Sequence, residues 1–153
     1  DIVLHLVNSP VLTVDAVGIP VLSPHEDIAN ARLSFANGCV ANITASRVSP
    51  ERMRKIRVFQ PDAYLSLDYE KKQGEIHTLT AAGIQCLPVP ITDRNALAAE
   101  LEDFVNCVQK VLAGEGPPKP TVSGERGLAA LEIACEITAK IAERNQQFPF
   151  PKR

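Results

Sequence analysis

Residues 28–47 decide the fold, and they read Ile-Ala-Asn-Ala-Arg-Leu-Ser-Phe-Ala-Asn-Gly-Cys-Val-Ala-Asn-Ile-Thr-Ala-Ser-Arg. Two segments rich in apolar residues, 28–36 and 39–48, flank the dipeptide Asn37-Gly38. Asn-Gly is the strongest short-range hairpin signal, because a type I′ turn needs a positive φ at both of its central residues. We therefore expect an antiparallel β-hairpin here, with a two-residue turn.

A two-residue turn fixes which side chains share a face of this hairpin. One face would carry Leu33, Phe35, Val40 and Asn42, and the other Arg32, Ser34, Ala36, Cys39, Ala41 and Ile43. Neither face is clearly polar, whereas a sheet exposed on one side alternates sharply between apolar and polar residues. We therefore expect both faces to be covered, one by helices and the other by a second subunit.

More strands and then helices extend outward from the hairpin. Strand patterns cover residues 9–18 before it, and 53–60, 64–69, 75–80 and 84–89 after it. Asn95 can cap a helix that ends at Gly114, and Ser123 can cap a last helix with the stripe Leu128, Leu131, Cys135, Thr138 and Ile141, followed by a polar tail over residues 145–153. Strands before helices predict an α+β fold, with a mainly antiparallel open sheet of about six strands and helices packed on one face.

Composition limits the function classes. The chain has 153 residues, 45% of them hydrophobic, and a net charge of −2. This charge gives no electrostatic basis for binding nucleic acid or an anionic membrane, and no apolar run approaches the ~20 residues that cross a bilayer. Cys39, Cys86, Cys107 and Cys135 are widely spaced, with no metal-site spacing, which favours buried, reduced thiols in a cytoplasmic protein.

The first residues, Asp1-Ile2-Val3-Leu4-His5-Leu6-Val7, have no basic segment of the kind that opens a signal peptide. They resemble the last turns of a buried helix, which predicts that the chain is part of a longer protein. His5 among apolar neighbours is compatible with a general acid or base, or with a packed, hydrogen-bonded histidine, and the second interpretation is the more common one.

No motif completes a catalytic set. The chain contains no G-x-G-x-x-G after a strand, no P-loop lysine and no G-x-S-x-G. The main charged feature is a basic cluster of Arg47, Arg52, Arg54, Lys55 and Arg57. It is compatible with phosphate or carboxylate recognition, or with a strand edge kept soluble by charge. Ser46 and Arg47 stand where a strand meets a loop, a common place for ligand contacts.

Taken in order, several blocks of the chain resemble the Gfo/Idh/MocA oxidoreductases. The blocks are the opening heptapeptide, Glu26-Asp27-Ile28-Ala29, Leu33-Ser34-Phe35-Ala36-Asn37-Gly38, Ala45-Ser46-Arg47-Val48-Ser49, Ala96-Leu97-Ala98-Ala99-Glu100-Leu101-Glu102-Asp103-Phe104 and Val122-Ser123-Gly124-Glu125-Arg126-Gly127-Leu128. They cover nearly the whole chain in the family's order. Ser-Arg-Val-Ser together with Phe59-Gln60-Pro61-Asp62-Ala63-Tyr64 is most similar to members that act on nucleotide sugars, for example at C3 of UDP-N-acetylglucosamine.

The resemblance implies the fold and the function. Residues 1–153 would form one C-terminal domain, similar to that of glyceraldehyde-3-phosphate dehydrogenase, which binds a sugar or UDP-sugar and mediates homo-oligomerisation through its sheet. Ser46, Arg47 and Arg54 would contact the substrate. The N-terminal Rossmann domain, which binds NAD or NADP, is absent from this chain, as are the family's Rossmann glycines and Glu-Lys-Pro motif. Asp1 and His5 would be remnants of the catalytic helix, neither at the catalytic position, so no hydride transfer is expected from this polypeptide alone.

A second hypothesis stays open at this point. The chain is alternatively a free-standing binding or assembly module that shares the fold and has no cofactor domain. A glycine-rich strand-turn-helix encoded directly upstream would favour the first hypothesis over the second.

Overall fold

The computed structural model describes residues 1–116 and 118–150. A short helix is followed by seven strands and then by two long helices. The helices are α1 (Ile2–Val7), α2 (Ala96–Leu112) and α3 (Gly124–Gln147). The strands are β1 (Val11–Ile19), β2 (Ile28–Phe35), β3 (Val40–Ser46), β4 (Lys55–Phe59), β5 (Ala63–Asp68), β6 (Gln73–Thr80) and β7 (Gly83–Pro88).

The α+β class and the antiparallel pairing are confirmed. The strands form two sheets, ordered β1-β2-β3 and β4-β5-β6-β7, where the sequence predicted one sheet of about six strands. The hydrophobic pattern identifies individual strands but does not encode which distant strands share hydrogen bonds, so the division into two sheets was not readable from it.

The chain divides into two compact units. The first contains Asp1–Ser49 and the chain from Glu115 onward, and the second contains Pro50–Gly114. The role of residues 1–153 as one substrate-binding and oligomerisation domain stays a prediction.

The core of the first unit lies on one face of its three-stranded sheet. Val14, Leu33 and Phe35 are buried there, and Leu33 is only 1% exposed. Partly buried residues from both helices of the unit pack against them: Val3, Leu4 and Val7 from α1, and Ile133 and Ile137 from α3. The first helix is therefore half-buried, and the prediction that it is buried was wrong, since none of its residues is fully covered.

The hairpin exists, but its turn is longer than predicted. Gly38 N–H donates to the Phe35 carbonyl at 3.0 Å, and Phe35 N–H donates to the Cys39 carbonyl at 2.9 Å. Gly38 has a φ of +85°, whereas Asn37 is not among the residues with positive φ. This is a three-residue loop, a type I turn followed by a left-handed glycine, and the predicted type I′ turn was wrong because it needs both residues at positive φ.

The longer loop shifts the register by one residue, and this changes the two faces. Leu33 pairs with Ala41 and Arg32 with Asn42, where the prediction paired Leu33 with Asn42. One face is consequently apolar and turned to the core, whereas the other carries polar pairs such as Arg32–Asn42, with a side-chain hydrogen bond of 3.1 Å. A one-residue slip moves every side chain to the opposite face. The mixed polarity from which we expected a covering subunit is therefore absent from this hairpin.

The third helix packs against β1 along a different stripe from the predicted one. Ala130, Ile133 and Ile137 are half-buried and Ile141 is buried, whereas Leu128 and Leu131 are 56% and 60% exposed. Only Ile141 of the predicted stripe lies in the core. The contact with β1 is close: a Cβ on Gly18 would meet Ile141 Cγ2 at 2.7 Å. Helical periodicity is satisfied by either stripe, so the sheet determines which one is buried.

Both predicted N-caps of the long helices are confirmed. The Asn95 side chain accepts from Ala98 N–H, and the Ser123 side chain accepts from Arg126 N–H. The last helix extends to Gln147, so the predicted tail begins later than residue 145, and its residues 151–153 lie outside the described part of the chain.

The four cysteines are free, but none of them is buried. Cys86 and Cys135 are exposed and Cys39 and Cys107 are half-buried, so the prediction of buried thiols was wrong. Over residues 1–116 and 118–150, no helix is both long and apolar enough to cross a membrane.

Candidate functional site

The carboxylate of Asp27, directly before β2, accepts five hydrogen bonds. Asp27 is 3% exposed, and the loop that precedes it folds back over its side chain. Its Oδ2 accepts the backbone N–H groups of Val21, Leu22 and Ser23 at 2.8, 2.6 and 2.8 Å. Its Oδ1 accepts the Ser23 hydroxyl and the Arg47 Nε–H, both at 2.9 Å.

These donors favour the ionised carboxylate. The Leu22 N–H, together with the Ser23 and Val21 donors, holds the pKa of Asp27 well below its usual range, against the opposing effect of burial. Asp27 thus remains a fixed negative charge that organises the loop and the end of β3.

Asp27 also orients Arg47, one of the residues predicted to bind substrate. Besides the contact with Oδ1, Arg47 donates Nη2–H to the Ser23 Oγ at 2.9 Å, and its backbone N–H donates to the Asp27 carbonyl at 3.0 Å. These bonds use two of the five guanidinium N–H donors. The side chain is still 53% exposed, so the guanidinium is positioned by the protein while part of the side chain stays open to solvent.

Ser46 is next to Arg47 at the end of β3. Its Oγ accepts N–H groups from Val48 and Ser49 at 3.3 and 3.2 Å and a hydroxyl bond from Ser49 at 2.8 Å. This is a serine turn that ends the strand. The structure thus brings Ser46 and Arg47 together at one exposed strand end.

Asp1 and His5 lie on α1 in the same unit. The Asp1 carbonyl accepts the His5 N–H at 2.9 Å, and the Asp1 side chain makes no capping bond. His5 Nδ1 is hydrogen-bonded to Arg126 Nη2 in the first turn of α3. Because a guanidinium only donates, His5 Nδ1 accepts in this contact. The bond joins the two helices, so His5 is hydrogen-bonded as one interpretation predicted, although its side chain is exposed rather than packed.

Arg54 lies in the second unit, directly before β4. Its side chain is 76% exposed and stands 4.0 Å from the Glu70 carboxylate. The neighbouring Lys55 pairs with Asp68 at 3.3 Å, and the pKa of Asp68 is lowered by the Lys71 N–H and by this lysine. Part of the basic cluster therefore has acidic partners, which fits a charged, soluble strand edge.

Sequence reasoning missed Ser23 and Asp27 as the residues that position Arg47. Asp27 appeared in the sequence only as part of a block similar to the family. The available signal was an aspartate four residues after a serine in a proline-containing loop, a pattern typical of side chains that cap loop N–H groups.

The α+β fold of this chain, with its two antiparallel sheets and its long helices, is shared by solved oxidoreductase structures. An oxidoreductase domain protein from Kribbella flavida has the same fold, with a TM-score of 0.77 at 12% identity over 94% of this chain and 46% of its own. An aldose-aldose oxidoreductase from Caulobacter crescentus, with a TM-score of 0.71 at 23% identity, covers 92% of this chain and 42% of its own. At these identities the likeness concerns the fold alone.

A nearer relative is UDP-N-acetylglucosamine 3-dehydrogenase from Acidithiobacillus ferrooxidans, 36% identical in an alignment of 148 positions that covers 91% of this chain and 46% of that protein. Its structure has a TM-score of 0.73 at 34% identity, over 92% of this chain and 45% of its own. The chain spans less than half the length of this relative. No protein-family model matches the chain. The chain is homologous to the C-terminal part of this dehydrogenase and its structural neighbours are Gfo/Idh/MocA-type oxidoreductases, so the resemblance seen in the sequence is confirmed.

Proposed function

We propose that this chain is the substrate-binding and oligomerisation domain of an NAD(P)-dependent sugar or nucleotide-sugar dehydrogenase, and that it is not catalytic alone. One observation carries the proposal: the 36% identity with a UDP-N-acetylglucosamine 3-dehydrogenase across nearly the whole chain. The chemistry of Arg47, at the end of β3, also supports the proposal.

A UDP-sugar carries a diphosphate, and a guanidinium recognises phosphate oxygens through paired N–H donors. Arg47 offers such a group, because Asp27 and Ser23 fix it from one side while the side chain remains half-exposed. Ser46 lies beside it and Arg54 is a second exposed guanidinium. We assign Ser46 and Arg47 to substrate contact, and we keep the same assignment for Arg54, in the other unit, on the family resemblance alone.

The described residues do not fit a dinucleotide. A pyrophosphate needs a glycine-rich turn that leads from a strand into a helix N-terminus. At the N-terminus of α3 the first turn instead holds Glu125, whose pKa is lowered by its hydrogen bond with the Ser123 hydroxyl. A fixed carboxylate there repels phosphate. NAD or NADP would accordingly be bound by another part of the whole protein, and we assign none of the described residues to hydride transfer.

We also propose that copies of this chain associate through a sheet. The support for this comes from the second sheet, β4-β5-β6-β7, and not from the hairpin. Leu79 and Ile84 are cross-strand neighbours on β6 and β7, and they are 73% and 79% exposed. Phe59 on β4 is 75% exposed. Grouped apolar side chains at a surface are typical of protein interfaces. The four free thiols favour a cytoplasmic location, since reducing compartments keep cysteines unpaired.

The test is a ligand titration of the 153-residue chain, in which binding is measured by thermal shift and by calorimetry. UDP-N-acetylglucosamine and UDP should raise the melting temperature, whereas NAD(H) and NADP(H) should leave it unchanged. Free N-acetylglucosamine serves as the control that lacks the diphosphate.

Stabilisation by a dinucleotide would contradict the assignment of the cofactor site to another part of the protein. No response to any UDP compound would contradict the substrate assignment, and would favour a free-standing assembly module instead.

A further inference from the structure

A row of four side chains crosses the second sheet from one edge strand to the other. Phe59 pairs with Tyr64, Tyr64 with His77, and His77 with Cys86, so the row runs over β4, β5, β6 and β7. Directly paired residues project to the same face of a sheet. His77 and Cys86 therefore stand side by side at the β7 edge, which is exposed to solvent.

Glu75 joins this pair from the same strand as His77. It precedes His77 by two residues on β6, and residues two apart in a strand share a face. Its Oε2 lies 3.6 Å from His77 Nε2, and the Cys86 Sγ lies 3.7 Å from that same nitrogen. One ligand atom from each of the three residues lies within 4.8 Å of the other two.

The two separations that involve His77 Nε2 are close to those in a tetrahedral zinc site, and the Cys86 thiol and the Glu75 carboxylate lie within 4.8 Å of each other. With Zn–S near 2.3 Å and Zn–N or Zn–O near 2.1 Å, tetrahedral angles place sulfur and nitrogen about 3.6 Å apart, and nitrogen and oxygen about 3.4 Å apart. Thiolate, imidazole and carboxylate are also the three protein ligands that zinc uses.

The geometry disfavours a nucleophilic Cys–His–Glu triad. Such a triad needs the thiol on one imidazole nitrogen and the carboxylate on the other. Here both groups lie near Nε2, so the three ligand atoms are neighbours of one another, as the ligands of a single cation are.

The aromatic part of the row holds the imidazole in place. Tyr64 stacks on His77 with centroids 5.3 Å apart, and Phe59 stacks on Tyr64 at 4.9 Å. Groups that fix the orientation of a ligating histidine increase metal affinity, because less ordering is needed on binding.

We propose that Glu75, His77 and Cys86 bind one zinc-class divalent cation on the β4–β7 face that also carries Leu79 and Ile84, so that the cation lies within the surface proposed for association. The metal bonds to the carboxylate, the imidazole Nε2 and the thiolate, and the thiol proton passes to solvent. Three protein ligands leave a fourth position for water or for an external ligand.

The first experiment is a titration of the reduced 153-residue chain with ZnCl₂ by calorimetry, and with CoCl₂ by absorption. We expect a stoichiometry of one, proton release that depends on the buffer, and a thiolate-to-cobalt charge-transfer band. Cys86→Ser should abolish that band, and Cys86→Ser and His77→Ala should each weaken zinc binding by at least about tenfold.

Matched controls come from the same chain. Cys135→Ser removes another exposed thiol and His25→Ala another exposed imidazole, and both should retain wild-type affinity. Circular dichroism of each variant verifies that it is folded. A wild-type chain that binds no zinc, or zinc affinity undiminished in both site variants, would show that the three residues form only a surface contact and would overturn the proposal.

Discussion

At the residue scale, the carboxylate of Asp27 is both nearly buried and the acceptor of five hydrogen bonds. Burial raises the pKa of a carboxylate unless hydrogen-bond donors stabilise its charged form, and at Asp27 the donors have the larger effect. The conformation of the loop before β2 therefore depends on an ionised side chain, and so does the orientation of Arg47.

Asp27→Asn should lower the melting temperature at neutral pH, and this difference from wild type should shrink in acid. Because the pKa of Asp27 is lower in the folded chain than in the unfolded chain, where it is about 3.9, the stabilisation is complete above that value. It is lost as the pH falls through the folded-state pKa. Thermal melts from pH 7 to pH 2 measure the effect, and a difference that stayed constant across this range would contradict it.

Arg47→Ala should weaken UDP-sugar binding by about tenfold, the size of one charge-assisted hydrogen bond. The guanidinium is half-exposed and Asp27 keeps its four other donors, so the melting temperature should fall less than in Asp27→Asn. Arg32→Ala is the matched control, since Arg32 lies on the same sheet with Asn42 as its partner. Unchanged affinity together with a large loss of stability would reassign Arg47 to folding alone.

At the element scale, the length of the hairpin turn determines which β3 residues share a face with Leu33 and Phe35. Gly38 holds the left-handed position of that turn at φ +85°. The three-residue loop pairs Leu33 with Ala41 on the core face and Arg32 with Asn42 on the other face.

Gly38→Ala should destabilise the chain by about 1 kcal/mol, because a Cβ is disfavoured in the left-handed region. The site is otherwise open space, so the effect is one of backbone conformation. Gly38→Asn should cost less, since asparagine tolerates this region. Urea unfolding compares the three chains, and equal stability of the alanine variant would refute the turn assignment.

The contact between β1 and α3 gives a second prediction at this scale. Gly18→Ala would place a Cβ 2.7 Å from Ile141 and from Glu26, so we expect a loss of about 1–3 kcal/mol from overpacking. Gly127→Ala on α3 meets nothing and should stabilise the helix by up to about 1 kcal/mol. Urea unfolding measures both variants. A lower free energy of unfolding for Gly18→Ala with a higher one for Gly127→Ala would support the packing, and changes of the same sign would contradict it.

At the scale of the whole molecule, the exposed apolar residues of the second sheet predict that copies of the chain associate through it. Ile84→Lys should shift the chain toward monomer in light scattering and leave the melting temperature of the monomer nearly unchanged, because the side chain is 79% exposed. Asn42→Lys on the polar face of the first sheet is the control. A wild-type chain that remains monomeric at high concentration would count against homo-oligomerisation.

Features that depend only on residues close together in the chain could be predicted from the sequence. The caps at Asn95 and Ser123 depend on a side chain and an N–H three residues later, so the sequence alone identifies them. The order of strands and helices and the resemblance to Gfo/Idh/MocA oxidoreductases were also readable. The turn at Asn37-Gly38 was only half predictable, because two- and three-residue loops share this dipeptide and the packing of Leu33 and Phe35 selects between them.

The sequence by itself determined the α+β class, the element order, the helix caps and the family resemblance, since these follow from periodicity, from near neighbours or from the ordered blocks. Only the tertiary structure decided the hairpin register, the stripe of α3 that faces the core, the bonding of Arg47 by Asp27, and the approach of His77 to Cys86. Each of these joins residues that are apart in the chain. Which of them meet depends on strand pairing and on the total burial of apolar surface, and no local pattern specifies that choice.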